Sequence, residues 1–331
     1  MFKKFTKWIV LIVILVLIAF VYILNFSPKK VAWGVTFSQQ YAQDELGLDW
    51  NKTYIAILDD LKVDHIRLSA YWNGIEPAKG NYDFTDLDWQ INEASKRNVK
   101  IILAVGRRLP RWPECHDPNW IKNMDIEDVQ ARQLEYVERV VRRYDGNKNI
   151  VYWQVENEPY LKYFGQCPPL DKKFFKKEIS LVKTISQKKI LVTDSGELSL
   201  WFPAANSGAD VLGTTLYRVV YNKTFGYWKW FLPASFYWMK SVSVEKFTPI
   251  DDTIVAELQG EAWHKAGENL SLMSMQDSFE SMSIDQFKEN IKFAKKAGFN
   301  ETYLWGVEWW YMMKEKNSYD GYWSEARKLW Q

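Results

Sequence analysis

Two short apolar runs in this sequence each end on a carboxylate. The first, residues 149–155, is β-branched and aromatic and leads into Glu156, Asn157, Glu158 and Pro159. Such a run reads as a strand. Proline cannot donate a ladder hydrogen bond, so the strand stops there and leaves Glu158 at its C-terminal tip. The second run, residues 253–260, carries Glu257 near its end. Two carboxylates brought by separate strands to one rim suit cleavage of a glycosidic bond. One protonates the leaving oxygen while the other attacks or stabilises the anomeric carbon. The histidines at 65, 116 and 264 stand apart from one another. There is no Cys/His metal-ligand spacing, so the expected chemistry needs neither metal nor cofactor.

A chain of 331 residues, 47% hydrophobic and 25% charged, can bury a large core. Its net charge of +2 gives no reason to expect nucleic acid as a partner. Trp, Tyr and Phe occur 18 times each. Many of these rings must fill the core, but an indole face also stacks well on a sugar ring.

The N-terminus is a separate object. Lys3, Lys4 and Lys7 precede a run without charge from Trp8 to Pro28. That run is long enough to cross a bilayer as a helix, and no small-residue cleavage site follows it. The expectation is a single-pass anchor and short linker over residues 1–30, with the lipid bilayer as partner. The basic tip stays cytoplasmic and residues 31–331 form a catalytic domain outside. A cleaved signal peptide and a buried core helix are the alternatives. Cys115 and Cys167 fall in loops after the third and fourth strands, which neighbour each other on one face. Outside the cytoplasm a disulfide between them is expected, against the alternative of two unpaired thiols.

Strands are expected at 31–37, 64–69, 99–105, 149–158, 190–194, 211–216, 253–260 and 302–307. Helices are expected at about 53–61, 85–98, 126–144, 172–187, 284–297 and 324–330. A long aromatic insertion, 221–247, reads first as a core-covering lid, then as a sugar platform or membrane-contacting surface. Alternating strands and helices imply a parallel sheet with right-handed crossovers. Eight repeats suit an α/β fold of the (β/α)8 TIM-barrel type. An open doubly wound sheet is disfavoured because no Gly-rich phosphate loop follows the first strand.

At these residues the chain resembles the retaining glycoside hydrolases of the (β/α)8 superfamily that includes cellulases and β-galactosidases. The resemblance lies in Asn157-Glu158-Pro159 on the fourth strand, Glu257 on the seventh and Arg67 on the second. It extends to the segments 72–77 and 80–84. It implies a β-linked oligo- or polysaccharide substrate, Glu158 as general acid/base and Glu257 as nucleophile. It further implies that Asn157 binds the 2-hydroxyl, that Arg67 holds the nucleophile ionised and that Tyr217 hydrogen-bonds it. Trp72 is a substrate-binding candidate, and Trp305 or Trp309 the floor of the sugar site. A histidine that some relatives carry after the third strand is missing from Gly106-Arg107-Arg108-Leu109-Pro110. A transglycosylase and a catalytically silent carbohydrate-binding barrel are the alternative functions.

Other carboxylates compete for these roles. Glu156 shares strand parity with Glu158, so alternation does not separate them, and the resemblance implies that Glu156 is an interior or supporting carboxylate. Glu261 lies beyond Gly260, in loop. Glu76 reads as structural, and Glu197 as a weak binding candidate. Arg107 and Arg108 are either solvated loop charges or contacts for an acidic or heavily hydroxylated sugar.

Overall fold

A computed structural model describes residues 2–23, 30–265 and 270–331. Eight strands close a parallel barrel in the cyclic order 1-8-7-6-5-4-3-2. Strands 1 to 8 are Ala32–Thr36, His65–Ser69, Lys100–Val105, Ile150–Val155, Lys189–Asp194, Val211–Leu216, Asp252–Gln259 and Glu301–Trp305. Closure of the sheet excludes the doubly wound alternative, and each strand lies where the apolar runs put it.

The pleat sorts side chains between two cores. Ile102, Leu191, Val211, Ile254 and Tyr303, with Tyr152, form an apolar plug inside the barrel. One residue out of phase, Ile101, Leu103, Val105, Trp153 and Val155 join the larger cluster beneath the helices. This period-two sorting is what a strand buried on both faces requires. Gly34 makes room for the plug, since a Cβ there would lie 2.5 Å from a ring carbon of Tyr303.

Thr85–Lys96, Ile126–Tyr144, Lys172–Ile185 and Ile284–Ala297 are the expected helices. The helix expected at 53–61 is α-helical over Trp50–Ala56, continues as a π turn over Ile57–Leu61 and ends at Lys62, with φ 62°. The aromatic insertion differs most from expectation. It contains an antiparallel hairpin, Val219–Asn222 with Gly226–Lys229, and then the helix Ala234–Phe247, which is the crossover from strand 6 to strand 7. Apolar residues ring that helix on all sides, so no stripe marks it. A further helix, Val307–Asn317, starts directly after strand 8, and the closing helix is Gly321–Arg327.

Phe2–Ile23 is helical, but among the described residues no helix is long and apolar enough to cross a membrane. Residues 24–29 of the expected anchor and linker lie outside the described residues. Cys115 and Cys167 form a disulfide across 52 residues. The bond ties the loop after strand 3 to the loop after strand 4, the pairing expected from their positions. In the chain-entropy view a closed loop of that length contributes roughly 4 kcal/mol. Cys115→Ser is expected to lower the unfolding free energy by up to about that amount. The check is urea unfolding under oxidising conditions, and an unchanged midpoint would show the staple to be inert.

Candidate active site

Strict alternation from Val255 would turn Glu257 outward, toward the helices. A bulge prevents this. Strand 6 pairs Thr214 with Val255 but Thr215 with Glu257. Strand 8 pairs Thr302 with Val255 but Leu304 with Leu258. Both neighbours therefore register one extra residue on strand 7, and a bulge of that kind shifts every later side chain to the other face. Glu257 then points inward, where Arg67 meets it.

Arg67 is fully buried and faces the interior, between the outward Ile66 and Leu68. Its Nη1 donates to Glu257 Oε1 at 2.7 Å, its Nη2 to Asn157 Oδ1 at 2.7 Å and its Nε to Gln154 Oε1 at 2.7 Å. Tyr217 donates its hydroxyl to Glu257 Oε2 at 3.1 Å. Both oxygens of Glu257 are thus held from the directions the resemblance implies, by Arg67 and Tyr217. Asn157 also accepts from the Thr193 hydroxyl at 3.1 Å and donates to Glu114 Oε2 at 3.2 Å.

Strand 4 ends in a way that alternation does not describe. Glu156 and Glu158 both adopt left-handed backbone, φ 60° and 42°, which costs a non-glycine residue of order 1–3 kcal/mol. The kink separates their roles. Glu156 turns back to accept the backbone N–H groups of Arg107 and Arg108 and the Gln133 amide, at 2.8, 2.6 and 2.8 Å. It thereby fastens the start of the third loop. Gly106, at φ 121°, is needed for that approach, because a Cβ would sit 2.5 Å from the Glu156 carboxylate. Glu158 has its backbone fixed by an N–H bond to Thr193 Oγ1 at 2.8 Å, while its buried Oε1 has no partner. Burial holds the Glu158 carboxyl well above the usual range, and the nearby charges of Glu257, Glu114 and Asp194 add to that.

Trp305 lies at the mouth end of strand 8, with its indole N–H donating to Glu261 Oε1 at 2.7 Å. Two other expected binders are core residues. Trp72 is fully buried, stacks on Tyr136 and donates to Glu76 Oε2 at 2.9 Å. Trp309 is fully buried against Tyr322, 4.7 Å between ring centres. Their helices turn both indoles into the outer core, so Trp305 alone of the three remains at the rim. Glu76 holds Trp72 and the Gly80 N–H, which makes it structural. Glu197 accepts from the Tyr237 hydroxyl and the Tyr217 N–H, and burial raises its carboxyl to about 7.

Arg107 pairs with Asp117 at 2.7 and 2.6 Å. Arg108 bonds Glu114 and the carbonyls of Leu161 and Phe164. Both are committed within the protein, which leaves the acidic-sugar reading without a free cation. The sequence reading did not single out Glu114, Arg111 and Glu308. Glu114 contacts Asn157 and Arg108, and burial with help from Glu257 raises its carboxyl to about 7 despite Arg108. Arg111 and Glu308 join Glu261 in a buried cluster. Nothing in their local sequence links them, and only the closed barrel brings the segments that carry them together.

A closed parallel barrel with carboxylates at the ends of strands 4 and 7, one clamped by arginine and one left protonatable, has the layout of a clan of β-glycoside hydrolases. Residues 31–229 match the cellulase family, glycosyl hydrolase family 5, and the chain belongs to that family. The matched span holds strands 1 to 6 and Glu158, while Glu257 lies beyond it. The chain is 25% identical over 188 residues to β-galactosidase BgaA of Clostridium cellulovorans, covering 51% of this chain and 28% of that protein. It is 29% identical over 86 residues to endo-β-1,4-xylanase Xyn10C of Cellvibrio japonicus, covering 25% and 14%. The match thus spans well under half the length of these relatives. Among solved structures, a GH5_18 protein from Streptomyces cattleya in complex with GlcNAc superposes with a TM-score of 0.59 at 12% identity, over 84% of this chain and 71% of that one. Xylanase 10B of Thermotoga maritima gives 0.56 at 11%, over 83% of each. These two likenesses are of fold.

Removing one partner of a buried ion pair leaves the other charge unpaired, at a cost of roughly 3–5 kcal/mol. Arg67→Met is expected to destabilise the protein by about that much, read from urea unfolding. A loss under about 1 kcal/mol would mean that Glu257 finds another partner.

Proposed function

We propose that this protein is a retaining β-glycosidase that works through a covalent glycosyl-enzyme intermediate. The observation that carries the reading is the opposite treatment of two carboxylates: Glu257 sits in an arginine-tyrosine clamp, and Glu158 is buried with an oxygen free. In the first step Glu257 attacks the anomeric carbon and the bond to the leaving oxygen breaks. Glu158 donates its proton to that oxygen. The glycosyl ester removes the negative charge of Glu257, so the Glu158 carboxylate is now free to take a proton from water. The resulting hydroxide equivalent attacks the anomeric carbon and releases Glu257. In this reading Asn157, which bonds Arg67 and Thr193, meets the 2-hydroxyl, and Trp305 carries the sugar ring. A β-linked glycan as substrate has the support of relatives named β-galactosidase, xylanase and mannosidase.

Membrane attachment belongs to the same proposal and rests on sequence: the basic tip at Lys3, Lys4 and Lys7 and the uncharged run to Pro28. In this reading the barrel works outside the cytoplasm, where its disulfide persists. Alkaline carbonate washing of membranes is expected to leave the full chain in the pellet. Its release into the supernatant would overturn the anchor.

Glu257→Ala is expected to abolish release of 4-nitrophenol from 4-nitrophenyl β-glycosides, with azide restoring part of it. Full residual activity would remove Glu257 from the mechanism. Glu158 must carry its proton in the first step, so kcat/KM holds below its pKa and falls as pH rises through it. Because that pKa is raised, the alkaline limb is expected above about 4.3, the ordinary glutamate value. Glu158→Gln should erase this limb for aryl glycosides with good leaving groups, and an unchanged limb would assign it to another group.

A further inference from the structure

Arg111 is an ion-pair residue in an unusual place. It lies in the loop after strand 3 at φ 85°, a backbone strained for any side chain but glycine. His116 reaches its carbonyl at 3.1 Å, and the disulfide at Cys115 fastens the same loop. The side chain crosses the barrel mouth. Its Nη1 meets Glu261 Oε1 at 2.5 Å and its Nη2 meets Glu308 Oε2 at 2.7 Å. The guanidinium is sandwiched between Tyr41 and Trp305, 3.8 and 4.1 Å from the ring centres. Glu308 is fixed in turn by the Ser38 N–H at 2.6 Å. Segments that follow strands 1, 3, 7 and 8 thus converge on one buried guanidinium.

Two features separate this cluster from a structural ion pair. It holds one cation against two carboxylates, all buried. Two of its polar atoms, Arg111 Nε and Glu261 Oε2, are buried with no partner, as is the Tyr41 hydroxyl beside them, and a charged group left so carries a high desolvation cost. A free donor and a free acceptor call for a ligand that both accepts and donates, which is what a sugar hydroxyl does. The cluster also lies beside the reacting centre. Glu261 bonds the Trp305 indole, and Tyr217, which bonds Glu257, feels the charges of Glu261 and Arg111.

Position then limits the substrate. Glu158 protonates the leaving group, so the aglycone departs on the strand 4 side. The cluster joins residues that follow strands 1, 3, 7 and 8, so on the glycosidase reading a glycan extended from the glycone away from strand 4 would meet it. Two carboxylates facing one guanidinium leave no spare cation in the cluster for a carboxylated sugar.

We infer that the Arg111–Glu261–Glu308 cluster is a specificity site that reads the hydroxyls of a neutral, non-reducing terminal sugar and blocks the path beyond it. The enzyme therefore removes single terminal residues rather than cutting within a chain. This rests on the glycosidase reading above and adds to it which end of the substrate the site accepts.

The test compares wild type, Glu261→Gln and Arg111→Lys on the 4-nitrophenyl β-glycosides of glucose, galactose, mannose and xylose. Direct release of nitrophenol from 4-nitrophenyl β-cellobioside, which needs a two-sugar glycone, is measured alongside. Urea midpoints report folding of each variant. Wild type is expected to favour one monosaccharide at least 30-fold and to release nitrophenol from the cellobioside at under a hundredth of that rate. Each variant is expected to shrink the preference at least tenfold. A preference unchanged in both variants, a uniform fall on all four glycosides, or faster release from the cellobioside would overturn the inference. If wild type turns over none of the glycosides, the hydrolase reading fails instead. Binding of the four methyl β-glycosides, followed by ligand-observed NMR, then decides the cluster. Selectivity lost in Glu261→Gln upholds it, and selectivity absent or unchanged overturns it.

Discussion

The buried guanidinium of Arg67 is the constraint on which the rest of the site depends. A charge removed from water is stable only if its hydrogen bonds are fully made. Arg67 meets that condition with three side-chain acceptors from strand 4, the end of strand 4 and strand 7: Gln154, Asn157 and Glu257. The demand runs both ways. The arginine needs these groups in place, and once bonded it fixes Asn157 and Glu257 against each other across the barrel. Beneath it lies the apolar plug around Tyr303 and Ile102, so the polar layer has a dry floor and one open side.

Much of the barrel was legible in the sequence because buried parallel strands leave continuous apolar runs, and all eight were found. The two carboxylates and Tyr217 were legible because each sits at or just past the end of such a run, whereas Arg67, in the middle of strand 2, was singled out by the family resemblance. Legibility failed where position depends on departures from regular geometry. The helix Ala234–Phe247 escaped because its apolar residues surround it. Trp72 and Trp309 were misplaced because an indole beside the site and an indole in the outer core look alike until the helix that carries it is oriented. Glu156 and Glu158, equivalent by parity, were told apart in the sequence by resemblance alone, and in the structure two left-handed residues that the pattern does not encode give them different directions. Arg111, Glu261 and Glu308 are 47 or more positions apart in any pair, two in loops and one at the start of a helix, and no local signal links them.

The third and fourth loops work as one unit. Glu156 fixes the beginning of the third loop, Arg108 ties it to the carbonyls of Leu161 and Phe164, and the disulfide locks its far end. Residues that touch the reacting centre, Glu114 among them, therefore ride on a loop with the rigidity of a secondary element. Such anchoring allows a strained residue such as Arg111 to persist, since the surroundings over-determine it.

The bulge on strand 7 makes the nucleophile a matter of counting. Insert one more residue between Val255 and Glu257 without a second bulge, and the fold keeps its strands while the carboxylate rotates to the face lined by helices. Hydrophobic content and charge would hardly change, yet the acid would face a wall with nothing to answer it. A chain that gained a single residue there would keep a sound barrel with no reaction in it, and only the phase of one strand would tell the two apart.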